Sequence, residues 1–193
     1  MQPSGLIKEG ELFFRQWLRS PKSMGSVIPS SRALARAVAA EVAWRPGQSI
    51  VELGGGTGAI SQGLIDRGIP RDRLIVIELD GPLYSYLKER LTGCLVIQGD
   101  ATRLDEILAR HDVGEIGTVI SGLPMVGMPD GFQKAIIDQG FKAMRPGSFM
   151  LQYSYSPIPP VPAKKLGIEA RLARYVLPNF PPAAVWKYTR ATG

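Results

Sequence analysis

The run VELGGGTGAI, residues 51–60, decides the fold. It closes a short apolar strand, SIVEL at 49–53, and opens a helix, AISQGLIDRG, that ends on Gly68. Glu52, Gly54, Gly56 and Gly58 recur at two-residue steps. Glycines between a strand and a helix allow a tight turn and let a ligand approach the backbone closely. The spacing alone leaves the ligand open. Counted as GxGxxG from Gly54 or Gly56, the third glycine position falls on Ala59 or Ser61, and Ala59 is tolerated there, so a dinucleotide stays compatible.

Outward from that loop the pattern repeats. RLIVIEL (73–79) is a second buried strand ending on an acid, with PLYSYLKERL as the helix behind it. CLVIQGDA (94–101) is a third strand followed by the helix LDEILARH. GTVISGLP (117–124) is a fourth strand running into a loop, GFQKAIIDQGFKAM a helix, and GSFMLQYSYSP (147–157) a fifth strand. After a Pro-rich stretch at 157–167, EARLARYVL and AAVWKYTR are two further strands. Upstream, Ser30 or Ser31 caps a helix running to about Ala43. Strands alternating with helices predict an α/β, Rossmann-like, doubly wound fold: a mainly parallel seven-stranded sheet with helices on both faces. Ligands bind such sheets at the carboxyl ends of the strands.

Residues 6–19, LIKEGELFFRQWLR, put Leu6, Ile7, Phe13, Phe14, Trp17 and Leu18 on one side of a helix and Lys8, Arg15 and Arg19 on the other. That pattern suits a helix lying in a membrane interface, and equally a terminal helix docked on its own domain. The expected organisation is residues 1–30 as amphipathic helix and lid segment, and 31–193 as the main domain. At 193 residues with 45% hydrophobic content, one domain can bury its own core. A lone cysteine, Cys94, excludes an intramolecular disulfide and a Cys-based zinc cluster, and a lone histidine, His111 in a polar turn, makes metal catalysis a weak prospect. No metal is expected. The net charge of +6 favours anionic partners, nucleic acid or acidic lipid, without choosing between them. No apolar run approaches the roughly twenty residues of a transmembrane helix, so membrane contact would be peripheral.

Four motifs in order, each at the carboxyl end of a predicted strand, resemble the class I S-adenosylmethionine-dependent methyltransferases. The ExGxGxG loop is met by Glu52 through Gly58, and the ribose-binding acid by Glu78, followed by Leu79. The acidic motif beside the adenine is met by Gly99, Asp100 and Ala101, and the catalytic loop by Ser121, Gly122, Leu123, Pro124 and Met125. The resemblance implies S-adenosylmethionine as cofactor and S-adenosylhomocysteine as product. A carboxylate accepts both hydrogen bonds of a vicinal diol, and Asp100 can accept from the adenine amino group. Glu52 either faces the amino-acid end of the cofactor or orders the glycine loop. Asp80 is read as a helix-start residue.

Within the class, SMGSVIPSSRALAR (23–36), SGLPM (121–125) and LPNFPPAAVWKYTR (177–190) resemble bacterial phospholipid N-methyltransferases, peripheral membrane enzymes that convert phosphatidylethanolamine to phosphatidylcholine. The resemblance implies a phospholipid substrate and binding of residues 6–19 to an anionic membrane on the cytoplasmic side, with no nucleic acid and no obligate protein partner. Those enzymes commonly have GPGTG where this chain has GGGTG, with Gly55 replacing proline, a change expected to loosen the loop. The rival group, ribosomal RNA adenine N6-dimethyltransferases, shares the second and third motifs. It uses an NLPY-type loop whose amide and aromatic are missing here. A soluble amine methyltransferase is a third reading, and a binding protein that has lost transfer a fourth, which the intact SGLP loop disfavours.

The amine must shed a proton before each transfer, since its pKa should lie near that of lysine, roughly 10. By resemblance, backbone carbonyls around Ser121 and Leu123 orient it and Pro124 fixes the loop, while the proton acceptor is a neighbouring side chain or water. Tyr153 and Tyr155 share a strand face, and either meets the phosphate or amine or is a half-buried sheet tyrosine. Arg174, Lys22, Lys164 and Lys165 are candidate phosphate ligands or solvated charges. Residues 24–31 are a candidate lid over the cofactor.

Overall fold

The computed structural model describes residues 30–190. The predicted helix at 6–19, Lys22 and nearly all of the candidate lid lie outside the described residues.

Helix α1 (Arg32–Glu41) leads into strand β1 (Gln48–Leu53), followed by α2 (Ala59–Asp66), β2 (Leu74–Glu78), α3 (Gly81–Arg90), β3 (Leu95–Gln98) and α4 (Leu104–Leu108). Then come β4 (Glu115–Ser121), α5 (Asp130–Ala143), β5 (Met150–Ser154), β6 (Ile168–Val176) and β7 (Ala183–Arg190). The seven strands form one sheet in the order β3-β2-β1-β4-β5-β7-β6. Strands β1 to β5 pair in parallel, and β7 runs antiparallel to both its neighbours. The doubly wound architecture expected from the alternation is therefore present, with one reversed strand near the edge.

Side chains alternate across the sheet and divide the core in two. Val51, Leu53, Ile75, Ile77, Val119 and Met150 face α4 and α5. Ile50, Leu74, Ile120 and Leu151 face α1 and α2, and Val76 packs on Leu87 of α3. Because both faces are covered, β1 and β2 are buried at every position, and Leu74–Ile77 of β2 reads in sequence as a continuous apolar run. The reversal at β1 is where the chain winds to opposite sides, and the glycine loop emerges at that carboxyl edge.

Caps fix the helices as their sequences suggest. Ser31, not Ser30, caps α1 by accepting from Leu34 N at 3.1 Å. Asp80 caps α3 by accepting from Leu83 N at 2.9 Å, the helix-start role read for it. Gly63 lets α2 lie against α1, since a Cβ there would sit 2.8 Å from that of Ala35.

Gly55 is packed as well as permissive. A Cβ on it would lie 2.4 Å from Val76 Cγ1 and 2.8 Å from Leu87 Cδ1. The space a larger residue would occupy is already filled by the strand beneath and the helix beside it. Gly55→Ala is therefore expected to destabilise the fold by about 1–3 kcal/mol, the usual cost of overpacking, seen as a lower melting temperature in calorimetry.

Candidate functional site

The site lies where β1, β2, β3 and β4 end. Glu52 is part of β1, and its burial follows from its place in the fully covered centre of the sheet. Only 2% of it is exposed. Its Oε2 accepts from Ser61 Oγ on α2, while Oε1 has no partner among the described residues. Burial, reinforced by the negative charge of Glu78, pushes the Glu52 carboxyl up to about 8. A buried acid with one unpaired oxygen is a place for a cation or a donor.

Between the ordinary value of 4.5 and about 8 the fold keeps a proton on Glu52 that the unfolded chain has lost. Stability without ligand should fall as pH rises through that window, by up to about 1.4 kcal/mol per pH unit. Glu52→Gln should flatten the slope of melting temperature between pH 5.5 and 8. A cationic ligand seated on Glu52 needs the ionised acid, so its affinity should rise across the same window.

Glu78, at the end of β2, is likewise buried, and burial raises its pKa. Its oxygens accept from Gly56 N at 2.9 Å and Asp80 N at 3.0 Å, bonds that tie the glycine loop to the strand end. Each carboxylate oxygen can accept a second bond, so a ribose diol can still be met there. Gly54, Gly56 and Gly58 all have positive φ, which a side chain would strain. The Leu123 side chain closes over Gly54, where a Cβ would lie 2.8 Å from Cδ2.

Beyond the glycine loop a narrow apolar slot is lined by Gly54, Ile77, Leu79, Gly99, Asp100, Ala101, Leu123 and Phe132. Asp100 marks its polar end. One of its oxygens accepts from Thr102 N at 2.8 Å. A flat heterocycle with an exocyclic amine suits such a slot. Phe132, on α5, was not among the residues singled out in sequence.

Ser121, fully buried, accepts from Leu123 N at 3.3 Å through its Oγ and so shapes the loop after β4. Two glutamines support that loop. Gln152 Nε2 donates to the Leu123 carbonyl at 3.1 Å, and Gln133 Nε2 donates to the Met125 carbonyl at 2.7 Å. The Leu123 carbonyl also accepts from Met125 N at 2.8 Å. With both lone pairs committed to protein, it has none to orient an amine, contrary to the role the resemblance implied for it. Gly122 is the loop residue that faces the fifth strand, and a Cβ there would sit 2.1 Å from the Tyr153 hydroxyl.

Tyr153 thus lies directly on the loop, with its hydroxyl beside Ser30. Burial first, then the charge of Glu52, raises its pKa far above the ordinary tyrosine value, so the phenol is a proton donor in hydrogen bonds and never a base near neutral pH. The Tyr155 hydroxyl lies near Ser30 and Asn179. Three of the other phosphate candidates lie among the described residues. Arg174 pairs with Glu41 at 2.6 Å, Lys165 with Asp130 at 3.8 Å, and Lys164 is exposed. His111 is exposed too, as expected of a polar turn.

No family model matches the chain. An ornithine lipid N-methyltransferase of Singulisphaera acidiphila is 29% identical over 154 residues, covering 78% of this chain and 80% of that protein. Ribosomal RNA small subunit methyltransferase A of Thermotoga neapolitana is 26% identical over 136 residues, 70% of this chain but 50% of its own length. The chain thus spans about half of that relative. Among solved structures, the glycopeptide N-methyltransferase MtfA complexed with S-adenosylmethionine matches with a TM-score of 0.63 at 12% identity, covering 86% of this chain and 96% of that one. A TehB-like S-adenosylmethionine-dependent methyltransferase of Corynebacterium glutamicum matches with a TM-score of 0.58 at 16% identity, covering 94% and 98%. At these identities the structural likeness gives the fold, which is that of the class I methyltransferases. The orphaned Glu52 oxygen, the Glu78 strand end and the slot beside Asp100 fit S-adenosylmethionine, whose ammonium, ribose diol and adenine need those three surroundings.

Proposed function

We propose that this S-adenosylmethionine-dependent methyltransferase of the class I superfamily methylates the amine of a membrane lipid, phosphatidylethanolamine and its mono- and dimethyl forms, toward phosphatidylcholine. One observation carries the choice of a lipid amine over a nucleic acid base. Met125, which follows Pro124 where a base-stacking aromatic would stand, is 1% exposed and packed in the core, with its carbonyl held by Gln133. The loop therefore presents the small backbone of Gly122, beside Tyr153, and offers no ring face to a base. The 29% identity to a lipid N-methyltransferase over four-fifths of its length supports the same choice.

Bound S-adenosylmethionine supplies an electrophilic methyl group on a sulfonium. The protein supplies position. Glu78 holds the ribose diol, Asp100 with Leu79 and Ala101 frames the adenine, and Glu52 balances the positive amino-acid end. Gly54, Gly56 and Gly58 keep the backbone close. Ser121 and the Gln152 and Gln133 amides fix the shape of the loop, so that Gly122 and Tyr153 define where the acceptor nitrogen stands. Aligning a lone pair with the breaking bond is the main contribution such a site can make. Tyr153, held protonated, donates to an acceptor oxygen of the headgroup, and the amine's proton passes to water. The protein then works at the cytoplasmic face of a membrane, where its acceptor resides.

Purified protein, S-adenosylmethionine and vesicles carrying either phosphatidylethanolamine or ornithine lipid test this, with methyl groups counted by mass spectrometry. The expected result is stepwise addition of methyl groups to phosphatidylethanolamine. Transfer to ornithine lipid alone would move the acceptor within lipid amines, and transfer to neither would refute the proposal.

A further inference from the structure

The four most exposed large apolar side chains among the described residues are Phe180, Leu177, Ile158 and Val126, at 81, 69, 68 and 56% exposed. They are scattered in sequence, yet the topology gathers them. Val126 lies in the loop after β4, Ile158 in the segment after β5, and Leu177 and Phe180 in the turn from β6 to β7. Strands β4, β5 and β6 run the same way, so all three segments leave the sheet at the carboxyl edge, around the mouth of the site.

The turn is anchored. Asn179, between the two exposed residues and itself 1% exposed, accepts from Ser31 N at 3.1 Å and donates to the Pro181 carbonyl at 2.6 Å. This holds the turn against the start of α1 and leaves Leu177 and Phe180 facing solvent. Just inside α1, Arg32 and Arg36 are exposed and form no ion pair among the described residues. With Ser30, Thr57 and Arg90 they line a groove beside the turn. Apolar projections bordered by exposed cations are the make-up of a surface that meets anionic lipid headgroups.

We propose that this edge is a membrane-docking face: Val126, Ile158, Leu177 and Phe180 enter the interfacial layer of an anionic bilayer, with Arg32 and Arg36 against lipid phosphates. The inference rests on the lipid-amine reading and adds how the acceptor arrives, reaching Gly122 and Tyr153 without leaving the membrane. A second copy of the chain fits the face less well, because a two-fold contact would bring the arginines of both copies together. Nucleic acid fits less well too, since three of the four apolar side chains are aliphatic and give bases nothing to stack on.

The test uses the full chain with Cys94→Ser and Phe180→Cys, labelled with an environment-sensitive fluorophore, and vesicles of phosphatidylethanolamine and phosphatidylglycerol. A matched label at Asp112→Cys reports the opposite edge of the sheet. On vesicle binding the label at 180 should shift to the blue and be quenched by brominated acyl chains, and the label at 112 should do neither. Leu177→Glu with Phe180→Glu should weaken vesicle partition by about tenfold or more per side chain, with unchanged affinity for S-adenosylmethionine. Vesicle-bound protein with no quenching at 180 overturns the docking face. A blue shift without vesicles that grows with protein concentration overturns it in favour of self-association. Methyl transfer to a short-chain, water-soluble lipid amine separates the two levels. If the wild type performs it but the labelled protein shows no quenching at 180, only the docking face falls; if the wild type methylates neither the short-chain nor the vesicle lipid, the lipid reading falls and the inference with it.

Discussion

Gly122→Ala should lower the rate of methyl transfer about 100-fold, the scale expected when reacting groups are displaced by roughly 1 Å. The added Cβ would lie 2.1 Å from the Tyr153 hydroxyl oxygen, 2.7 Å from Cζ and 3.0 Å from Cε1. The ring cannot simply turn aside. Its backbone pairs with Val185 of β7, and its hydroxyl lies against Ser30. Either the tyrosine or the loop must move, and both define the acceptor position. Affinity for S-adenosylmethionine should change little, because the slot and strand-end acids do not include Gly122. Single-turnover kinetics and binding calorimetry separate the two quantities. Tyr153→Ala alone should also slow transfer, and if collision is the cause, adding Gly122→Ala to it should cost little more; an unchanged rate in the single Gly122 variant would remove Gly122 and Tyr153 from the acceptor site.

Glu78→Ala should weaken S-adenosylmethionine binding about 100-fold or more. Two hydrogen bonds to a charged acceptor contribute roughly 1.5–3 kcal/mol each, and the ribose diol would lose both. The same substitution releases Gly56 N and Asp80 N, so the glycine loop would also lose its tie to β2. Glu78→Gln keeps the shape and one acceptor oxygen, so its loss should be smaller. Calorimetric titration of both variants checks the order. Equal, small losses would mean that Glu78 serves the loop and does not hold the ribose.

Most of the sheet was legible because parallel strands covered on both faces leave unbroken apolar runs, as in Leu74–Glu78, and because the helices between them carry their own caps. Strand β4 begins two residues earlier than its apolar run, at Glu115, since that polar entry is paired through Gln48. Strand-end acids were legible for a related reason: topology assigns every parallel strand's carboxyl end to one edge, so Glu78 and Asp100 needed only their place in the order. What joins distant residues was not legible. Tyr153 meets Gly122 because β5 is the neighbour of β4, with Ser121 opposite Gln152, and strand order is not written in either segment. The inward turn of the Leu123 carbonyl depends on the same register. Gln152 did leave a trace, as a lone amide inside the apolar run FMLQY, and a buried polar residue in such a strand needs a partner. Gln133 and Phe132 left none, since a helix shows only that one face is buried and not what that face supports.

The central claim, methyl transfer to a lipid amine, is tested most directly in a single reaction. Purified protein and S-adenosylmethionine would be mixed with phosphatidylethanolamine-containing anionic vesicles and an adenine-containing ribosomal RNA fragment, and methyl incorporation followed in each. Incorporation into the lipid fraction, abolished by Glu78→Ala and strongly reduced by Gly122→Ala, is the result the account predicts. Incorporation into RNA with none in lipid would contradict it, leaving the fold and the cofactor site standing and the assignment of the Ser121–Met125 loop overturned.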